Sequence, residues 1–89
     1  MRAVVTVIGK DRVGINAMVS GTCAKHGVNI ADITQTIMQE YFTMIMLVEI
    51  EKLDVSFADF VSEMKQEGKE FGVDINVMHE DIFNTMHRI

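Results

Sequence analysis

A chain of 89 residues, 48 % of them apolar, with no Pro, no Trp and eight Met, makes one domain, and at this size a domain buries only about 60–65 % of its unfolded surface. A formal net charge of −5 opposes direct contact with nucleic acid, which depends on Lys and Arg displacing counterions. A single cysteine, Cys23, rules out an internal disulfide, and the apolar run 3–8 is too short for a membrane span or a signal-peptide core, so a cytoplasmic protein with no membrane partner is expected.

Residues 2–8 carry Val4, Val5, Val7 and Ile8, apolar on both parities, the pattern of a central strand covered on both faces. From Val13 to His26 the spacing becomes helical through Ile15, Met18, Val19, Thr22 and His26, and Gly27 supplies a stop. Residues 28–39 form a second strand, with Ile33, Gln35 and Ile37 alternating against Thr34, Thr36 and Met38. Ile30 is out of phase, which predicts a bulge near Ala31-Asp32. A tight turn at Gln39-Glu40 leads to a third strand at 41–51. There Phe42, Met44, Met46, Val48 and Ile50 alternate with Thr43, Ile45, Leu47, Glu49 and Glu51. Neither turn residue is of a favoured type.

A second helix is capped by Asp54 or Ser56, buries Phe57, Phe60, Val61, Met64 and Phe71, and closes at Gly72. Its charged face, Lys65 to Glu70, is explained by solvation. Val73, Ile75 and Val77 mark a fourth strand. The tail, 80–89, is a short helical candidate with Ile82, Phe83, Met86 and Ile89 on one side.

The order is βαββαβ plus a C-terminal helix. It predicts an α+β, ferredoxin-like fold: a four-stranded antiparallel sheet with both main helices on one face and the first and third strands central. The division expected is a domain over 1–79 with 80–89 as its extension. Because the first and third strands are apolar on both parities, the sheet face away from the helices needs a cover. The tail and a second subunit are the two available.

The segment Gly9-Lys10-Asp11-Arg12-Val13-Gly14-Ile15 joins the first strand to the first helix. A helix start presents N–H groups without intrahelical partners and a partial positive charge, so backbone alone can hold a carboxylate or phosphate there. Asp11 can cap the helix or meet the ammonium of a bound amino acid. Cys23 lacks a sequence-evident activating base and reads as packing. His26, His79 and His87 are too scattered for a metal motif, and the helix dipole accounts for His26. No catalytic constellation, metal site or cofactor is expected.

The loop, together with Gly27-Val28-Asn29-Ile30 at the start of strand two, resembles the ACT domain over residues 1–79, with Val13 where that family often has Pro. Over its whole length the chain is similar to the small stand-alone ACT proteins related to the glycine-cleavage repressor. The resemblance implies a non-catalytic regulatory homodimer that binds a small-molecule effector, an amino acid, and passes its state to a regulatory protein partner. It implies an effector held between two subunits, the first loop of one facing strand-two residues of the other, and at matching positions it implicates Asp11, Gly14, Ile15 and Asn29. Asn16, in the first helical turn, adds an amide. Gly14→Val is expected to block binding and leave the fold intact. The alternative function is a ligand-free protein–protein interaction module.

Overall fold

The computed structural model describes residues 1–86. Its elements are β1 (Arg2–Lys10), α1 (Ile15–Lys25), β2 (Asn29–Met38), β3 (Tyr41–Glu49), α2 (Phe57–Phe71), β4 (Val73–His79) and α3 (Glu80–Met86). The four strands form one antiparallel sheet in the order β2-β3-β1-β4, the ferredoxin-like arrangement expected from the element order.

Register explains the core. Val5 lies between Met46 on β3 and Val77 on β4, and Val7 between Met44 and Ile75. These side chains belong to a buried cluster with Ile15, Val19 and Cys23 of α1 and Phe60 and Met64 of α2. The period-2 pattern of the strands meets the 3.6-residue pattern of the helices there, and removal of this apolar surface from water is the main stabilising term. At Gly68 an added Cβ would fall 2.8 Å from Ile75 Cγ1 and 2.9 Å from the Val73 carbonyl oxygen. The absence of a side chain therefore sets how closely α2 lies on β4.

Among the described residues, the other sheet face is covered only at one end. α3 packs against β1 and β4, and Val4 is buried there. Further along, Ile8 and Ile45 remain 52 % and 43 % exposed. Ile82 and Met86 of α3 are exposed as well, so the described part of the tail, α3, is a partial cover. Ile89, expected on the same apolar side, lies outside the described residues.

The register shift between Ile30 and Asp32 is the expected bulge. It brings Ile30 and Ile33 into line with Val48 and Met46 of β3, on the helix-covered face. The turn after β2 is made by Gln39, whose φ of 58° is left-handed, followed by Glu40. Pairing of Met38 with Tyr41 makes it a two-residue hairpin, a turn class that uses positive φ because its twist matches that of the strands.

The first helix begins two residues later than its spacing predicts. Gly14 is left-handed at φ 95°, which keeps Val13 outside the helix and almost fully exposed. For the second helix, Ser56 is the cap: its hydroxyl accepts the Asp59 N–H at 3.1 Å. Asp54, the other candidate, pairs with His26 instead.

Candidate functional site

The loop between β1 and α1 is fixed from both sides. The Asp11 N–H donates to the Glu40 carbonyl at 2.7 Å, tying the loop to the β2–β3 hairpin. Arg12 donates through Nη1 to the Phe71 carbonyl at 3.0 Å, and its guanidinium lies 4.3 Å from the centre of the Phe71 ring. A hydrogen bond and a cation–π contact thus attach the same loop to the end of α2.

The helix start itself is open. The first turn of α1 closes with the Met18 N–H on the Gly14 carbonyl at 2.9 Å, so the N–H groups of Ile15, Asn16 and Ala17 precede the helical ladder. No side chain caps them, and the first turn contains no acidic residue. Asp11 is therefore not the cap that the sequence allowed. The left-handed Gly14 turns the chain into the helix without it. Its carboxylate enters none of the ion pairs among the described residues.

Gly14 also has a neighbour. A Cβ built there would lie 3.2 Å from the Phe71 ring, on a backbone that L residues rarely adopt. A Gly14→Val variant would consequently strain the fold, contrary to the expectation that it acts on binding alone.

Asn16 Nδ2 donates to Gln35 Oε1 at 2.9 Å, and Asn16 Oδ1 accepts from the Ser20 hydroxyl at 2.9 Å. The amide thereby links the start of α1 to the middle of β2, a contact that sequence spacing does not reveal. Ile15 is buried under the loop. Asp11, Gly14, Ile15 and Asn16 are thus gathered at one end of the sheet.

Asn29 stands at the other end. It pairs with Glu49, which pairs with Arg2, whereas the loop follows Lys10 opposite Tyr41. From Asn29 to Met38, the first and last of the ten residues of β2, is roughly 30 Å at about 3.3 Å per residue. Asn29 Nδ2 donates to Glu49 Oε1 at 2.8 Å, which leaves its Oδ1 as an acceptor. A shallow cavity of about 300 Å³ lined by Gly27, Asn29, Glu49, Glu51 and Lys52 lies beside it. A larger one, about 610 Å³, lies between Met1, Arg2 and the β4–α3 junction, where Arg2 grips Glu80 through Nε and Nη2 at 3.1 and 2.7 Å.

Cys23 is fully buried and its thiol is pushed up to about 11 by desolvation, so it packs as a small apolar group. Among the described residues no cluster of His, Cys, Asp and Glu is arranged to hold a metal ion. No helix of the described residues is long and apolar enough to cross a membrane.

Residues 2–78, which include the open helix start and all four strands but the last residue of β4, match the profile of the ACT domain. The chain belongs to the ACT domain family. A UPF0237 protein of Clostridium acetobutylicum is 53 % identical to this ACT chain over 89 residues, covering all of both. Among solved structures, an ACT domain protein from Streptococcus pneumoniae superposes with a TM-score of 0.82 at 42 % identity, over 93 % of each chain. A putative glycine cleavage system transcriptional repressor shares the fold, with a TM-score of 0.70 at 24 % identity over 85 % of this chain and 43 % of its own. ACT domains are typically regulatory, ligand-binding modules.

Proposed function

We propose that this ACT domain is a non-catalytic sensor of a small effector, an amino acid, working as a homodimer in the cytoplasm, with residues 1–79 as the sensing unit and 80–89 as its extension. The observation that carries the ligand site is the uncapped start of α1 beside the Asp11 carboxylate, which enters no ion pair among the described residues. A zwitterion fits that pair: its carboxylate is taken by the N–H groups of Ile15 and Asn16, and its ammonium by Asp11.

The homodimer is supported by the edge of the sheet. From Ile33 to Met38, β2 carries no charge and no Pro, and Ile33, Ile37 and Met38 are 40, 53 and 65 % exposed. Edge strands of stable monomers are usually blunted by charge, Pro, a bulge or a cover, and beyond the bulge at Ala31-Asp32 this stretch carries neither charge nor Pro. A second copy laid antiparallel on it satisfies both edges symmetrically. Centred on Thr34, with Ala31 of the bulge left unpaired, that pairing sets Asn29 of one copy opposite Met38 of the other. Asn29 then reaches the end of the sheet where the other copy's loop lies, and the ligand site is completed across the interface.

The exposed Ile8 and Ile45 on the opposite sheet face favour a second reading, a ligand-free interaction module that docks a protein there. Thermal unfolding against single amino acids at millimolar concentration separates the two. A ligand at a hundredfold excess over its Kd adds about 2.7 kcal/mol, a shift on the order of ten degrees for a domain this small. One responder whose shift vanishes in Ile37→Lys, together with monomers of that variant in sedimentation, is the expected result. Flat melting across the panel would overturn the effector reading in favour of the interaction module.

A further inference from the structure

The opposite end of α1 carries a charge cluster that effector binding does not use. His26, the residue that closes the helix, has a side chain only 8 % exposed. Its Nδ1 lies 2.7 Å from Asp54 Oδ1 and its Nε2 2.8 Å from Glu63 Oε1. The two carboxylates come from separate places: Asp54 from the segment that leads into α2, Glu63 from α2 itself. Lys25 binds the other oxygen of Glu63 at 2.8 Å, and Glu67 accepts from the hydroxyl of Thr22. The ring of Phe60 stands edge-on to the imidazole at 6.1 Å.

A neutral imidazole has one N–H and one lone pair. Either neutral tautomer would aim that lone pair at a carboxylate within hydrogen-bonding distance. Only the imidazolium donates to both. We propose that His26 is a proton-operated clamp: when charged it fastens the end of α1, and the turn into β2, to α2 and the segment before it. Loss of the proton as pH rises releases one carboxylate and loosens that corner.

The groups that act on the ring set the pH at which this happens. Hydrogen bonds to Asp54 and then Glu63 raise the pKa of His26 above its ordinary 6.5, against the opposing effect of burial. A pKa raised in the folded state gives stability that is complete below the unfolded value and lost as pH rises through the folded one. Glu63 works in the opposite sense. Hydrogen bonds from Lys25 and His26 hold it down at about 2, so its contribution is present above the ordinary carboxylate range and lost as pH falls through about 2. The clamp is thus closed in a window bounded by Glu63 on the acid side and His26 on the alkaline side.

The corner it closes includes Asn29. The His26 carbonyl accepts the Asp54 N–H at 3.2 Å. At Gly27, a Cβ would fall 2.7 Å from the Lys52 carbonyl oxygen. Both residues border the cavity beside Asn29, so opening the clamp alters the end of β2 first.

The test is an NMR titration of the His26 ring from mildly acid to alkaline pH, with thermal unfolding of the wild type and His26→Gln at each pH. The expected midpoint lies above about 6.5. Asp54→Asn and Glu63→Gln each lower it, and the stability advantage of wild type over His26→Gln shrinks across the same range. His79, stacked on Phe57 at 4.0 Å, is present in both proteins and cancels in the difference. Should His26→Gln not fold, the two carboxylate variants decide through the ring titration alone. A midpoint at or below 6.5 that neither variant moves, or parallel stability profiles, would overturn the clamp.

Discussion

The two long helices begin in opposite ways. α2 closes its own start: Ser56 accepts the Asp59 N–H, and Asp59 places a negative charge in the first turn. α1 starts from a left-handed glycine with neither a capping side chain nor an acid. Helix starts with no internal partner are completed from outside, by water or by a ligand. The difference teaches where this fold is finished and where it is left open. α2 is built to pack, with Gly68 bringing it onto β4, while α1 presents its first turn to whatever meets the loop.

The largest break in this contrast comes from Gly14→Val. A β-branched residue at φ 95°, pressed toward Phe71, is expected to cost about 1–3 kcal/mol from backbone strain alone, measured by denaturant unfolding. Gly14→Asn should lose much less, because Asn tolerates the left-handed region. Equal losses would mean that contact with Phe71, not the backbone, sets the requirement for glycine.

Next in size is the closed start. Ser56→Ala removes the cap of α2 and should cost about 1 kcal/mol, visible as a lowered Tm, while Ser56→Asp should recover most of it. An unchanged Tm in Ser56→Ala would erase the distinction between the helices.

Much of this contrast was legible in the chain itself, and the part that was not has a physical cause. The central places of β1 and β3 follow from strands apolar on both parities, and the bulge follows from the phase of Ile30. Capping of α2 was narrowed to Asp54 or Ser56 by residue type. The start of α1 was misplaced by two residues because a backbone φ decides it, and Gly14 carries no side chain to announce that. Turn chemistry failed to mark Gln39, whose left-handed conformation is imposed by the strands on either side. Local sequence explains His26 by the helix dipole alone because its two partners lie 28 and 37 residues away, beyond the reach of any local pattern. The resemblance sets the loop of one subunit against strand-two residues of the other, and within a single chain the sheet holds the loop and Asn29 at opposite ends.

The smallest effect on stability is also the sharpest test of the open start. Asp11 caps nothing and is held through its backbone N–H, which Asn retains. Asp11→Asn should therefore leave unfolding within about 0.5 kcal/mol of wild type, as for a surface substitution away from any special feature. Ligand binding should respond differently, since the change removes the charge placed opposite an ammonium. The amino-acid-induced rise in Tm is expected to disappear in Asp11→Asn while the unliganded Tm stays fixed. A fall in the unliganded Tm near that of Ser56→Ala would instead mean that Asp11 supports the first turn of α1, and the two helix starts would then differ in which residue closes them, not in whether they are closed.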